Sequence, residues 1–263
     1  MSVYNGERDL REAIESITGQ TFRDFEFMIV DDCSTDYSPD ILNEYSQKDL
    51  RIKLIRNELN LGLTSSLNKA IKTAAGKYIA RMDSDDVADP KRLEKQVEFM
   101  ETNPDVVLLG TAFHEIDKNG SILGSKHFPM NDNELRQALI KLNPFCHASV
   151  IIRRSALDMT GLYDETIPKA QDYDLWFRLA TTGKIANLPE HLMKRRYDDR
   201  NISITQENEQ LKWAINIRKN AIQKGYYSPK NYIYLIRPFI ALISPYFLRK
   251  TIRKHILKNR MYG

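Results

Sequence analysis

The chain has 263 residues, 42% of them hydrophobic and 28% charged, with 39 Lys or Arg against 35 Asp or Glu. Sparse Pro and Gly with apolar residues throughout exclude a disordered chain, and two cysteines, Cys33 and Cys146, exclude a disulfide framework and a cysteine metal site; a reducing compartment is expected. The net charge of +4 divides unevenly, because no acid follows Glu209, residues 210–263 hold twelve basic side chains, and residues 1–209 sum to −8.

Apolar runs and helical patterns alternate along the first half. Residues 8–17 read as an amphipathic helix with Leu10, Ala13, Ile14 and Ile17 on one face. Residues 25–30 read as a buried strand ending in Asp31-Asp32. Ser38-Pro39 opens a helix over 40–47, and 52–55 is the next strand. A helix over 64–75 closes at Gly76, and a strand over 78–82 ends in Asp83-Ser84-Asp85-Asp86. Residues 90–100 read as a helix and 106–110 as a strand.

The second half is more mixed. A hairpin is expected over 113–122 around Lys118-Asn119-Gly120, with short strands over 149–152 and 184–188. Helices are expected over 172–181 and 207–223. The most apolar stretch, 231–248, is interrupted by Arg237, Pro238 and Pro245. Its longest uncharged run, 238–248, covers about 16 Å as a helix, against roughly 30 Å for a hydrocarbon core, so it does not span a bilayer alone. The N-terminal residues show no basic region followed by an apolar run, and no signal peptide is expected.

Strands alternating with helices predict an α/β fold with a mostly parallel central sheet flanked by helices, in which ligands bind beyond the carboxyl ends of the strands. Two predicted strand ends carry Asp clusters. Three carboxylates within four residues at 83–86 repel one another unless a cation sits there, and a hard divalent ion with phosphate oxygens meets that need. The plainer reading, a solvated loop capping the helix after Pro90, would suffice for an isolated Asp-x-Asp. The second cluster at Asp31-Asp32 argues against it.

Tyr4-Asn5-Gly6-Glu7, Gln20-Thr21-Phe22, Val30 to Asp36, Asn60-Leu61-Gly62-Leu63, Tyr78 to Asp86 and Gln171 to Trp176 occur in an order and spacing that resembles the family-2 glycosyltransferases. These are inverting, nucleotide-sugar-dependent enzymes of the GT-A fold, and the match covers about residues 2–205. The resemblance implies an aromatic stack on the nucleotide base at Tyr4, with Glu7 near the nucleotide, and a carboxylate for the base edge at Asp32. It places a metal-binding pair at Asp83 and Asp85, with Asp85 favoured as the direct ligand to Mn²⁺ or Mg²⁺ on the diphosphate. Asp172 falls at the catalytic base, although a first-turn helix carboxylate facing the macrodipole explains the same residue. His147 could touch diphosphate or acceptor, but a hydrogen-bonded loop histidine is the commoner case. Trp176 and Phe177 read as core, with an acceptor-facing aromatic as the alternative.

Three departures from the family pattern stand out. Only Met1-Ser2-Val3 precede Tyr4 where the family begins with a central apolar strand, so an in-frame apolar segment upstream is expected. Cys33 replaces the glycine usual after the Asp pair, which would strain a turn of positive φ. Asp198, Asp199 and Arg200 precede Asn201 and Ser203 where the family often has a His, which puts a C-terminal metal or diphosphate contact in doubt. The Gln-x-x-Arg-Trp motif of processive synthases is absent, which favours addition of a single sugar.

The expected organisation is therefore a GT-A domain over 1–205 and a helical, basic segment over 206–263. The resemblance implies transfer of a hexosyl or N-acetylhexosaminyl group from a UDP-sugar or other nucleotide-sugar donor to a glycan or lipid-linked acceptor in cell-surface polysaccharide synthesis. Arg249, Lys250, Arg253, Lys254, Lys258 and Arg260, following an apolar stretch, suit an anionic membrane surface, so a cytoplasmic protein peripheral to the inner face of the membrane is expected. Nucleic acid is the rival for that tail and a solvated face the plain alternative. A non-catalytic sugar-nucleotide or membrane-binding module and a glycoside hydrolase are the competing functions.

Overall fold

The structure, a computed structural model, describes residues 1–197 and 207–244. The chain forms two compact units, Met1–Asn201 and Ile202–Gly263. The boundary expected at 205/206, the 198–203 departure and the basic cluster after residue 248 lie outside the described residues.

Helix α1 (Leu10–Thr18) follows strand β1 (Ser2–Val3) and buries the face read from its periodicity: Leu10, Ala13, Ile14 and Ile17 are all inside. Strands β2 (Phe27–Asp31) and β3 (Ile52–Arg56) flank α2 (Ser38–Lys48), and β1-β2-β3 form a parallel sheet in that order. The Met1 ammonium, which burial pushes down to about 5, donates to Met28 O at 2.9 Å. Helix α3 (Leu63–Thr73) starts after Gly62, whose φ of 83° suits glycine.

A second sheet of six strands has the order β4-β8-β6-β9-β5, with β7 paired to β6. Its members are β4 (Tyr78–Ala80), β5 (Val87–Ala88), β6 (Val106–Ile116), β7 (Ile122–Lys126), β8 (Ile151–Arg153) and β9 (Lys184–Arg196). Parallel pairing holds throughout the first sheet and between β6 and β9, whereas β4–β8, β6–β8, β6–β7 and β5–β9 are antiparallel. The β6–β7 hairpin forms where Lys118-Asn119-Gly120 predicted it. Asp117 Oδ1 accepts from Asn119 N and Ser121 N, both at 2.8 Å, and Gly120 takes a φ of 83°.

Both long strands outrun their sequence signal. β9 passes Pro189 through a register shift, so that Thr111 pairs with Leu188 but Ala112 with His191. The strand expected over 149–152 is displaced: Ser149 closes a 3-10 turn (His147–Ser149), and β8 starts at Ile151. Helix α4 (Arg92–Thr102) and helix α7 (Gln171–Leu179) fall near their expected positions. Helices α5 (Asp132–Leu139) and α6 (Arg154–Thr160) are additional; Asn131 caps α5 by accepting from Glu134 N at 3.0 Å.

A continuous core joins the inner faces of α1 and α2 to Phe27 and Ile29 and extends to Met82, Phe113, Cys146 and Met193. The second unit contains helix α8 (Glu207–Gln223), a 3-10 segment (Pro229–Leu235) and helix α9 (Ile236–Ile243).

Candidate active site

Three strand ends meet at one edge. Tyr4-Asn5-Gly6-Glu7 leaves β1, Asp32 to Tyr37 leaves β2, and Asp83 to Asp86 follows β4. The first two loops are laced together. Asn5 Oδ1 accepts from Thr35 N at 2.8 Å, Gly6 N donates to Ser38 Oγ at 2.9 Å, and Glu7 Oε2 accepts from Tyr37 N at 2.9 Å. Glu7 is thus a strut between the loops. Tyr4 is 52% exposed. A Cβ built on Gly6 would lie 3.5 Å from Ser84 Oγ, which puts this pair of loops in contact with the Asp-rich loop.

Asp32 is buried, yet its carboxylate is well supplied. Oδ1 accepts from Asn57 Nδ2 at 2.7 Å and Leu61 N at 2.9 Å, and Oδ2 accepts from Gly62 N at 2.8 Å. These bonds hold the 57–62 loop against the end of β2. A carboxylate offers about four acceptor positions, so about one remains. Cys33 has a φ of 64°, the left-handed conformation that made its replacement of glycine costly, and Asn5 has a φ of 51°.

Asp83, Asp85 and Asp86 each offer an oxygen within 4.8 Å of the others. Their electrostatics diverge. Burial opposes ionisation of Asp83, but the Arg81 guanidinium beside it brings the carboxyl below its ordinary value. Burial together with the Asp83 charge pushes Asp85 up to about 6, and burial followed by Asp83 and Asp85 raises Asp86 well above the usual range. Three carboxyls so placed disfavour one another's ionisation, and an all-oxygen set of this kind fits a hard divalent ion such as Mn²⁺ or Mg²⁺.

Two arginines, unmarked in the sequence, fasten this loop. Arg196, at the end of β9, donates its backbone N–H to Asp86 Oδ1 at 2.9 Å and Nε to Asp85 O at 3.0 Å. Its Nη1 reaches Asp117 O at 3.1 Å and its Nη2 reaches Glu12 Oε2 at 2.6 Å. Arg92 is fully buried on α4, where burial lowers its pKa to about 10. Its Nη2 donates to Arg81 O at 2.6 Å and its Nε to Gln96 Oε1 at 3.0 Å.

Asp172 lies in the first turn of α7, after Ala170 in the left-handed conformation. Burial raises its pKa, an effect opposed by Asn143, whose Nδ2 donates to Oδ2 at 2.8 Å. Arg81 acts on Asp172 as well as on Asp83. Its Nε is buried with no hydrogen-bond partner. His147 shares a 2.8 Å hydrogen bond with the Tyr163 hydroxyl, and burial followed by the Arg81 charge holds it well below the usual imidazole range. Its ring packs edge-on against Tyr163 and Trp176. Trp176 and Phe177 are buried in the core.

The structure therefore brings Asp83 and Asp85 together with Asp86, which the sequence reading left outside the metal pair. Tyr4, Glu7 and Asp32 fall on the adjoining loops, and Asp172 is linked to the cluster through the field of Arg81.

Residues 1–160 match the family described as Glycosyl transferase family 2. "Uncharacterized glycosyltransferase MJ1057" of Methanocaldococcus jannaschii is 36% identical, over 96% of this chain and 90% of its own length. "Amylovoran biosynthesis glycosyltransferase AmsE" of Erwinia amylovora is 35% identical over 74% of each. Among solved structures, S. aureus TarS 1–349 in complex with UDP-GlcNAc superposes with a TM-score of 0.73 at 20% identity, covering 91% of this chain and 71% of that one. The mannosyltransferase PcManGT of Pyrobaculum calidifontis, in complex with GDP-Man and Mn²⁺, gives 0.67 at 16% identity, covering 92% and 68%. The chain belongs to glycosyl transferase family 2. It is a glycosyltransferase of GT-A architecture, which sets aside the non-catalytic module.

Proposed function

We propose that this enzyme transfers a single hexosyl or N-acetylhexosaminyl group, with inversion, from a UDP-linked donor to a glycan or lipid-linked acceptor in cell-surface polysaccharide synthesis. The observation that carries the reading is the Asp83–Asp85–Asp86 cluster at the end of β4, beside the laced loops that present Tyr4 and Asp32. The UDP-GlcNAc bound to TarS, the GDP-Man and Mn²⁺ bound to PcManGT, and the polysaccharide named for AmsE support donor, metal and pathway class.

In this reading Tyr4 stacks on the base and the remaining acceptor position of Asp32 takes a base N–H. Asp83 and Asp85 hold a divalent ion, which supplies charge neutralisation to the leaving diphosphate. Asp86 is bound by Arg196 and shapes the loop. Asn143 engages Asp172 Oδ2, so Oδ1 faces the acceptor hydroxyl and takes its proton as the oxygen attacks the anomeric carbon. The electron pair of the sugar–phosphate bond leaves with the nucleoside diphosphate. The basic C-terminal segment suits work at the cytoplasmic face of an anionic membrane, as a peripheral protein.

The deciding experiment measures nucleoside diphosphate release from UDP-sugars with Mn²⁺ and acceptor. Release that requires the metal and is lost in Asp172→Asn is expected. Turnover unchanged in that variant removes Asp172 from the mechanism, and free sugar formed without acceptor dependence favours a hydrolase.

A further inference from the structure

Among the described residues of the second unit, an apolar stripe lies exposed. Tyr232, Ile236, Phe239 and Ile240 recur at intervals of three and four, the spacing that places side chains on one side of a helix. The 3-10 segment runs directly into α9, with Leu235 as its cap. Along this continuous stretch Tyr232 is 41% exposed, Ile233 63%, Ile236 55%, Phe239 54% and Ile240 54%. Ile217, Ala221 and Ile222 on α8 are buried, so apolar side chains of the unit divide between an interior and this outer stripe. Soluble surfaces seldom carry so concentrated an apolar patch without an occupant.

We propose that this stripe is seated in the headgroup region of an anionic lipid bilayer, with α9 lying in the membrane plane. Charge selects the occupant. No acidic residue occurs in 210–263, against twelve Lys or Arg, and Lys224, Lys230 and Arg237 are exposed in the described part of the unit. A protein partner would need an acidic rim around an apolar groove, whereas an anionic bilayer offers both features over any area. Length selects the orientation. Eight residues of α9 cover about 12 Å, well short of the roughly 30 Å hydrocarbon core, and no helix among the described residues is long and apolar enough to cross a membrane. Tyr232 and Tyr226, both partly exposed, are the amphipathic type that settles at headgroup depth. The inference builds on the membrane location proposed above and assigns it to particular side chains in the described structure.

The test is co-sedimentation of the full chain with vesicles of phosphatidylcholine alone and of phosphatidylcholine with phosphatidylglycerol in equal parts. Binding is expected only to the anionic vesicles, weakened by salt but not abolished, because the apolar share of the contact is not screened. Phe239→Asp/Ile240→Asp should lower the partition roughly tenfold or more. The thermal melt and the release of UDP from soluble donor should stay at parental values. Ile233→Asp provides a second variant if the first does not fold. Asp172→Asn should bind vesicles like the parent, so failure of the catalytic assignment leaves this measurement intact.

Four results overturn the proposal. They are absence of binding to anionic vesicles, binding equal in parent and stripe variants, a concentration-dependent dimer that the stripe variants dissociate without any vesicle binding, and RNA binding in place of vesicle binding. Loss of binding on replacing Arg249, Lys250, Arg253 and Lys254 by Gln, with the stripe variants unaffected, assigns the contact to charge alone and equally refutes it.

Discussion

Asn143 Nδ2 donates to Asp172 Oδ2 at 2.8 Å, and its own Oδ1 accepts from Phe145 N at 3.2 Å. The carboxylate of the proposed base is thereby fixed by a side chain that the 143–145 backbone itself holds. A hydrogen bond to a carboxylate favours the charged form, here against the burial that disfavours it. Replacing Asn143 by Leu removes that bond and should therefore raise the Asp172 pKa further. Since the base acts deprotonated, activity falls as pH drops through that pKa, and the acid limb of the kcat/KM profile should move to higher pH. An unmoved limb with a lower plateau would reduce Asn143 to a packing role.

Asp172→Asn should lower kcat by about 10²–10⁴-fold with little change in donor affinity, because the general base acts on the acceptor and not on the diphosphate. Isothermal titration with UDP and Mn²⁺ separates the two effects. A large loss of UDP affinity would place Asp172 on the donor instead.

Asp83→Asn and Asp85→Asn should each abolish the Mn²⁺ dependence of UDP binding while leaving metal-free binding nearly unchanged. In the proposed reading these two carboxylates hold the ion, and their oxygens lie within 4.8 Å of each other and of Asp86. Titration of UDP with and without the ion provides the readout, and retained metal dependence in both variants would move the ion elsewhere.

Arg196→Met should be severely destabilising. The guanidinium side chain is 3% exposed and meets Asp9 at 3.3 Å and Glu12 at 2.6 Å, in addition to the carbonyls of Asp85 and Asp117. Glu12 is 58% exposed and stays hydrated, so the cost comes from Asp9 and from the two carbonyls that lose their donor, roughly 1–3 kcal/mol for each buried group left unpaired. A thermal melt should show a large fall in Tm, and the surviving folded protein should have weakened Mn²⁺-dependent UDP binding.

Cys33→Gly should act in the opposite direction. A left-handed backbone costs an L-residue with a side chain about 1–2 kcal/mol, and glycine carries no such penalty. Part of the gain is lost to the greater freedom of glycine in the unfolded chain. A gain of roughly 0.5–1 kcal/mol in urea denaturation is expected, with UDP binding retained.

Local physics was the readable part of this sequence. α1 buries the four residues its periodicity selects, and the carboxylates at 83–86 are adjacent in the chain, so both could be seen without the fold. Helix α5 escaped detection because its residues 132–139 are mostly polar, with only Leu135 and Leu139 buried. β9 looked shorter than it is because Pro189 mimics a strand end, and only the register shift lets pairing resume. Arg92, Arg196 and Asn143 carry no local mark at all. Their partners lie 11, 111 and 29 residues away for Arg81, Asp85 and Asp172, and a lone Arg or Asn looks the same in sequence whether it is solvated or holds an active-site loop.

The reach of Arg196 also sets an order of assembly. It ties the last strand of the first unit to Glu12, 184 residues earlier, and to the Asp-rich loop about midway between. A chain emerging from the ribosome acquires its carboxylates long before it acquires their fastener. Until residue 196 is in place, the loop has its ties to Arg81 and Arg92 but lacks the bonds to Asp85 O and Asp86 Oδ1, so its full set of fastenings forms only when nearly all of this unit has been made.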